Sequence, residues 1–138
     1  MLDTCVLVSA LRSPGGASDR LIQDVLSGLL KPLVSVPLVL EYESVLTRSD
    51  HLSASRLSAR EAVRIVKAFC TNGEQVSIDY RIRPQLQDPA DELVLETAFH
   101  GKAEAIVTFN LNDFEPARSR FSIEVILPRQ ALERMIRR

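Results

Sequence analysis

Histidine, cysteine and glycine are scarce in this chain of 138 residues, at two, two and five copies. Each scarcity closes off a chemistry. Cys5 and Cys70 lie far apart and match no paired metal spacing, so neither a disulfide framework nor a zinc site is expected, and both read as buried thiols. His51 falls in a polar link and His100 at a helix end, positions that suit neither a catalytic base nor a ligand. The SPGG loop at 13–16 lacks the GxGxxG pattern and the lysine of a phosphate loop. From Cys5 to Arg12 the spacing is too long for a cysteine phosphatase loop. Asp3 is not followed by the second aspartate of aspartyl-phosphate enzymes.

Long apolar runs are also missing: none approaches the ~20 residues of a membrane helix, and the basic flank and cleavage pattern of a secretory signal are absent. A cytoplasmic protein without a membrane partner is expected. Net positive charge is lacking too, since 17 Lys and Arg stand against 18 Asp and Glu. Global attraction to nucleic acid is therefore excluded, and any phosphate contact must be local. Two regions offer it. Arg118, Arg120, Arg129, Arg134, Arg137 and Arg138 make the C-terminal end basic. Arg60, Arg64 and Lys67 share one side of a helix, with Arg56 just before it, and such stripes are most often solvated faces.

What the chain does have is 46% hydrophobic and 25% charged residues, the composition of one globular domain over 1–138 with its own core. Apolar runs alternate with helical patterns. Met1 and Leu2 leave almost no strand before Asp3, so the first strand is either a stub or the end of one that begins upstream. Cys5 to Leu11 reads as helical. A helix capped by Ser18 or Asp19 stops at Gly28, and a strand follows Pro32 up to Val36. Pro37 opens a helix that carries Glu41 one turn in, beside its apolar side. Thr47 to Leu57 reads as a polar turn, and Ser58 with Glu61 forms a capping box opening a helix to about Thr71. Gln75 to Ile78 is a third short strand and Asp79 to Gln87 an irregular link. Asp88 caps a helix with Pro89 in its first turn, ending near Gly101. Ala103 to Phe109 reads as a buried strand followed by a polar turn holding Asn110 and Asp113. Ile123 to Leu127 gives a fifth strand and Arg129 to Arg138 a terminal helix. Such alternation implies an α/β fold, with a mainly parallel sheet of about five strands covered on both faces.

Asp3, Glu41, Asp91 and Asp113 each fall near the carboxyl end of a strand or in the first turns of the next element, where open α/β sheets bind ligands. Acids converging there repel one another, so the set makes sense chiefly as a cation site. All-oxygen ligands favour Mg²⁺ or Mn²⁺, and such ions support phosphodiester hydrolysis. Each acid has a plainer reading. Asp3 can cap a helix, Asp113 can be a turn residue and Glu41 can be met by an arginine; for Asp88 the capping reading is favoured. Glu92 points about 100° away from Asp91 around the helix, toward a supporting role or solvent.

At these residues the chain resembles the PIN-domain family, in particular the predicted toxin components of bacterial toxin–antitoxin pairs. LDTCVLVSAL at 2–11 resembles the family's opening LDTNVLVSAL, and SVPLVLEYESVLTR at 35–48 its second acidic helix, with Glu41 at the motif glutamate. DPADELVLETA at 88–98 is similar to DPxDxxxLxxA, with Asp91 at the third acid, and IVTFNLNDF at 106–114 to VTxNxxDF, with Asp113 at the fourth. The resemblance implies a Rossmann-like α/β/α sandwich, a Mg²⁺- or Mn²⁺-dependent ribonuclease with RNA as substrate, frequent homodimerisation and inhibition by a cognate antitoxin protein. It also places Thr4 and Ser9 at positions lining the site and gives Asn110 the role of orienting a metal-bound water. Cys5 departs from the pattern, replacing an amide-bearing asparagine with a thiol, a weak donor. The reading that competes with a nuclease is a catalytically degenerate PIN-like module that binds RNA or protein.

Overall fold

The computed structural model describes residues 1–136, so Arg137 and Arg138, the end of the expected basic run, lie outside the described residues. Helices α1 (Thr4–Arg12) and α2 (Ala17–Leu26) precede β1 (Leu33–Val34), and α3 (Val36–Leu46), α4 (Ser49–Ser55) and α5 (Ala59–Thr71) precede β2 (Glu74–Gln75). After an irregular strap come α6 (Pro89–His100) and β3 (Ala105–Val107). A 3₁₀ turn (Asn112–Phe114), α7 (Glu115–Phe121), β4 (Glu124–Ile126) and α8 (Pro128–Ile136) complete the chain.

Sequence signals place several of these ends. Ser58 Oγ accepts from the Glu61 N–H and Glu61 Oε1 from the Ser58 N–H, both at 3.1 Å, closing the expected capping box of α5. Asp88 caps α6 through the Ala90 N–H at 2.9 Å. Elsewhere the local reading needs correction. Gly16, not Ser18 or Asp19, caps α2: Ser18 is buried inside the helix, and Asp19 reaches back to the Gly15 N–H. The segment expected as a polar turn contains α4, and the turn after β3 tightens into the 3₁₀ segment and α7.

All the strands are stubs. β1 pairs in parallel with β2, and β3 with β4, while Leu2 makes a single parallel bridge to Val107. The α/β class holds, but the expected five-stranded sheet is replaced by two separate parallel pairs and one bridge. The physical reason lies in the flanks. Pro32 and Pro37 bracket β1, and β3 and β4 each give way within a few residues to a turn or helix, so ladder bonds are few.

Side-chain burial supplies what the ladders do not. One apolar cluster runs from Leu2 and Val6 of the N-terminal segment through Val34, Tyr42, Phe69, Leu95 and Ile106 to Val125 and Leu132. Tyr42 and Phe69 meet edge to face at its centre, with ring centroids 5.8 Å apart. At the end of α6, Gly101 has an ordinary φ of −84°, but a Cβ there would lie 2.6 Å from a Leu33 methyl and 2.9 Å from a Val76 methyl. The helix end is thus seated directly on the β1–β2 pair. Among the described residues no helix is long and apolar enough to cross a membrane.

Gly101→Ala is expected to lower unfolding free energy by about 1–3 kcal/mol through overpacking, with the helix content intact. Urea melts of the two proteins, followed by circular dichroism, measure the difference.

Candidate functional site

Asp3 is placed by main-chain pairing. Its N–H donates to the Val107 carbonyl at 3.0 Å and the Val107 N–H donates to the Met1 carbonyl at 2.8 Å, so the stub runs alongside β3 and ends at Asp3. Buried Tyr42 fixes the same stub by donating its hydroxyl to the Leu2 carbonyl at 2.6 Å. Asp3 is itself buried, at 4% exposure, and it caps α1 by accepting the Thr4 N–H at 2.8 Å. Its other oxygen accepts from Thr108 Oγ1 at 2.7 Å and from Cys5 Sγ at 3.2 Å. Burial pushes the Asp3 pKa above its ordinary value. The bonds from Thr108, Cys5 and Thr4 oppose that rise, while the charge of Asp88 adds to it. Capping α1 thus engages one oxygen of Asp3, while the other is met by Thr108 and Cys5.

Cys5 occupies the position of the missing amide, and it is a donor here. Burial and then the charge of Asp3 push its thiol up to about 12, so it stays protonated at neutral pH. Thr108 went unremarked in the sequence as a site residue, yet it ties the centre together: its hydroxyl donates to Asp3 and accepts the Asn110 N–H at 3.0 Å. A lone hydroxyl at the end of the apolar run AIVTF was the available signal.

Asp91 stands in the first turn of α6, half-buried, on the wall of a cleft of about 480 Å³ that Asp88, Asn112, Asp113 and Arg120 also line. Its pKa is pushed up to about 7, first by desolvation and then by the charges of Asp3, Asp88, Asp113 and Glu92. The structure thus brings Asp3, Asp88, Asp91 and Asp113 into one electrostatic neighbourhood at the carboxyl ends of the stub and β3. Glu41 is not brought there. It is half-buried in α3, outside the cleft lining and outside the charges that act on Asp3 and Asp91. Thr4 and Ser9 are half-buried on α1, and the side chain of neither bonds to an acid of the cluster. Asn110 is exposed beside the cleft and contributes its main chain to Thr108.

Of the two readings open for Glu92, a supporting acid or a solvent acid, burial excludes the solvent one. Glu92 is 2% exposed, and its Oε1 accepts the N–H groups of Gln85 and Leu86 at 2.7 and 2.8 Å. One turn later Glu96, 1% exposed, accepts the Ile82 N–H at 3.2 Å and pairs with the Arg83 guanidinium. These carboxylates hold the strap that forms one wall of the cleft. Glu96 gave no sequence signal beyond its i+4 spacing from Glu92.

Chemically, the cluster offers oxygen donors only, which suits a hard divalent cation, and such a cation would relieve the repulsion that adds to desolvation in raising Asp91. Among the described residues no three acidic, histidine or cysteine side chains converge into a ready coordination shell.

Compared with known families, residues 1–112 match the model of the PIN domain. The matched stretch contains Asp3, Glu41 and Asp91 and stops one residue short of Asp113. No curated protein and no solved structure matches the chain.

Because the raised pKa of Asp91 lets the folded chain hold a proton that the unfolded chain releases near pH 4, metal-free stability falls as pH rises from about 4 to about 7. Asp91→Asn is expected to remove that loss. At pH 8 it should stabilise the metal-free protein by roughly 1–2 kcal/mol after allowance for solvent screening, with the gain vanishing near pH 4. Denaturant titrations at both pH values check this.

Proposed function

The chain belongs to the PIN-domain family, whose members are generally nucleases, and from that premise we propose that it is a metal-dependent endoribonuclease acting as one PIN-like unit. The observation that carries the reading is the cluster of Asp88, Asp91 and Asp113 along one cleft, with Asp3 near enough for its charge to act on Asp91; these charges add to desolvation in pushing Asp91 up to about 7. A fold gains nothing in stability from such repulsion, and a site for a divalent cation does.

Mg²⁺ or Mn²⁺ would be held by Asp3, Asp91 and Asp113, with exposed Asp88 beside them; Glu41, which the family resemblance adds to the set, stands apart from them on α3. When bound, the cation supplies charge neutralisation on the phosphodiester and a lowered pKa for the attacking water. The chain's own residues do the remaining work. Thr108 and Cys5 orient the Asp3 carboxylate by donating to the same oxygen, leaving Oδ1 on the α1 N-terminus. Asp91 must lose its proton before it would act as a ligand, so activity is expected to rise with pH through about 7. Asn110, whose N–H is held by Thr108 Oγ1, is exposed two residues from Asn112 of the cleft lining, and orienting the water is the role the family resemblance gives it.

Action as a toxin restrained by a cognate antitoxin, homodimerisation and a cytoplasmic setting belong to the same proposal and rest on the family resemblance. The non-catalytic binding module is the alternative, favoured by the lack of a ready coordination shell.

Titration calorimetry of Mn²⁺ into chelator-treated protein is expected to show binding that Asp91→Asn abolishes, together with loss of Mn²⁺-dependent RNA cleavage by at least ~100-fold, the scale of a lost cation. Cleavage that survives in the variant removes Asp91 from the site, and absence of any Mn²⁺ binding in the parent protein favours the binding module. Cys5→Asn is expected to raise the cleavage rate, because an amide is a stronger donor to Asp3 than a thiol. An unchanged or lower rate, read on the same substrate, shows that the thiol is adequate.

A further inference from the structure

A cleft walled by aspartates repels the polyanion it is proposed to cut, so some group on its wall must hold the strand by its phosphates. The basic residues sort themselves by what they touch. Arg134 pairs with Glu124, and Arg118 donates to the Val125 carbonyl at 3.0 Å. Arg83 is committed to buried Glu96. Arg60, Arg64 and Lys67 ride on α5, which does not line the cleft.

Arg120 differs from all of these. It is the one basic side chain in the cleft lining, among the described residues. Its Nη1 donates to Gln85 Oε1 at 2.7 Å, and no carboxylate among the described residues pairs with it. The acceptor is a neutral amide, so the bond fixes the guanidinium without cancelling its charge. Four of its five N–H donors stay available, in the planar fork that matches a phosphate.

Both ends of that bond are anchored. Gln85 is held through its N–H by Glu92 Oε1 at 2.7 Å and through its Nε2 by the Ile82 carbonyl at 2.6 Å. Beneath Arg120, α7 is seated by buried Ala117 and by Phe121, whose ring meets that of Phe99 edge to face at 5.3 Å. A long side chain pinned in this way loses less freedom on binding than one that roams in solvent.

We propose that Arg120 clamps a backbone phosphate of single-stranded RNA in the cleft it lines with Asp91 and Asp113, with Gln85 and Glu92 as its positioning residues. The assignment rests on the nuclease reading, and it lies outside the stretch matched by the family model. Arg120 touches substrate without taking part in bond cleavage, so its effect falls on binding.

The test uses fluorescence anisotropy with a labelled single-stranded RNA and chelator-treated protein across a salt series, run beside Mn²⁺-dependent cleavage, for the parent chain, Arg120→Ala and Arg120→Lys. Arg120→Ala is expected to reduce the slope of log affinity against log salt by about 0.7, the value for one phosphate contact on a single strand. Its KM is expected to rise about tenfold with kcat within a few-fold, and its melting temperature to stay near that of the parent. Arg120→Lys keeps the slope while losing part of the affinity, because it retains the charge but not the fork. An unchanged slope in Arg120→Ala, with or without a lower melting temperature, overturns the clamp and leaves Arg120 a brace between α7 and the strap. If the parent binds RNA but cleaves none with Mn²⁺, the nuclease reading fails while the slope still decides Arg120. If the parent does not bind RNA, both fall.

Discussion

The pairing of a two-residue stub with β3 is the constraint on which the site depends. The bonds that join Met1 and Asp3 to Val107 bring the first acid of the chain next to residues more than 100 positions later. Thr108 then follows as the first residue beyond β3, where its hydroxyl donates to Asp3 and lies 3.5 Å from the Cys5 thiol. Tyr42 extends the same constraint to α3 by holding the Leu2 carbonyl. A sheet of such short strands contributes few ladder bonds, yet it fixes position closely, since a slip of one residue would turn Asp3 to the opposite face.

Around that point the molecule separates two tasks. Apolar packing between helices supplies cohesion, with Tyr42, Phe69, Leu95 and Ile106 at its centre. Electrostatics is left unresolved at the cleft, where Asp91 is raised by neighbouring carboxylates and no basic residue pairs with it among the described residues. Natural folds keep such conflicts at places where a ligand settles them. Glu96 shows the contrast: buried as deeply as Asp3, it is met by the Ile82 N–H and by Arg83, and it acts within the fold.

The sequence made the acids legible because they sit at the ends of recognisable elements. Asp88 before Pro89, and Asp91 one turn on, mark the start of α6 by local chemistry alone, and the capping box at Ser58 did the same for α5. Non-local contacts were not legible. Nothing in the sequence near Thr108 announces Asp3, and nothing in the strap announces that its N–H groups end on α6 carboxylates. The sheet was overestimated for a related reason: a run such as AIVTF has the composition of a longer strand, but how much of it pairs depends on where its neighbours turn away. α4 and α7 were missed because polar segments of seven residues carry too little periodicity to stand out from turns.

The strap between β2 and α6 is held by its main chain. Glu92 and Glu96 grip the N–H groups of residues 82, 85 and 86, and every amino acid except proline offers that group. The path of the cleft wall is therefore encoded on the helix, and the wall itself is free to change what it displays. Such a division lets a lineage change what its cleft wall displays by substituting exposed strap residues, while two buried glutamates keep the architecture in place.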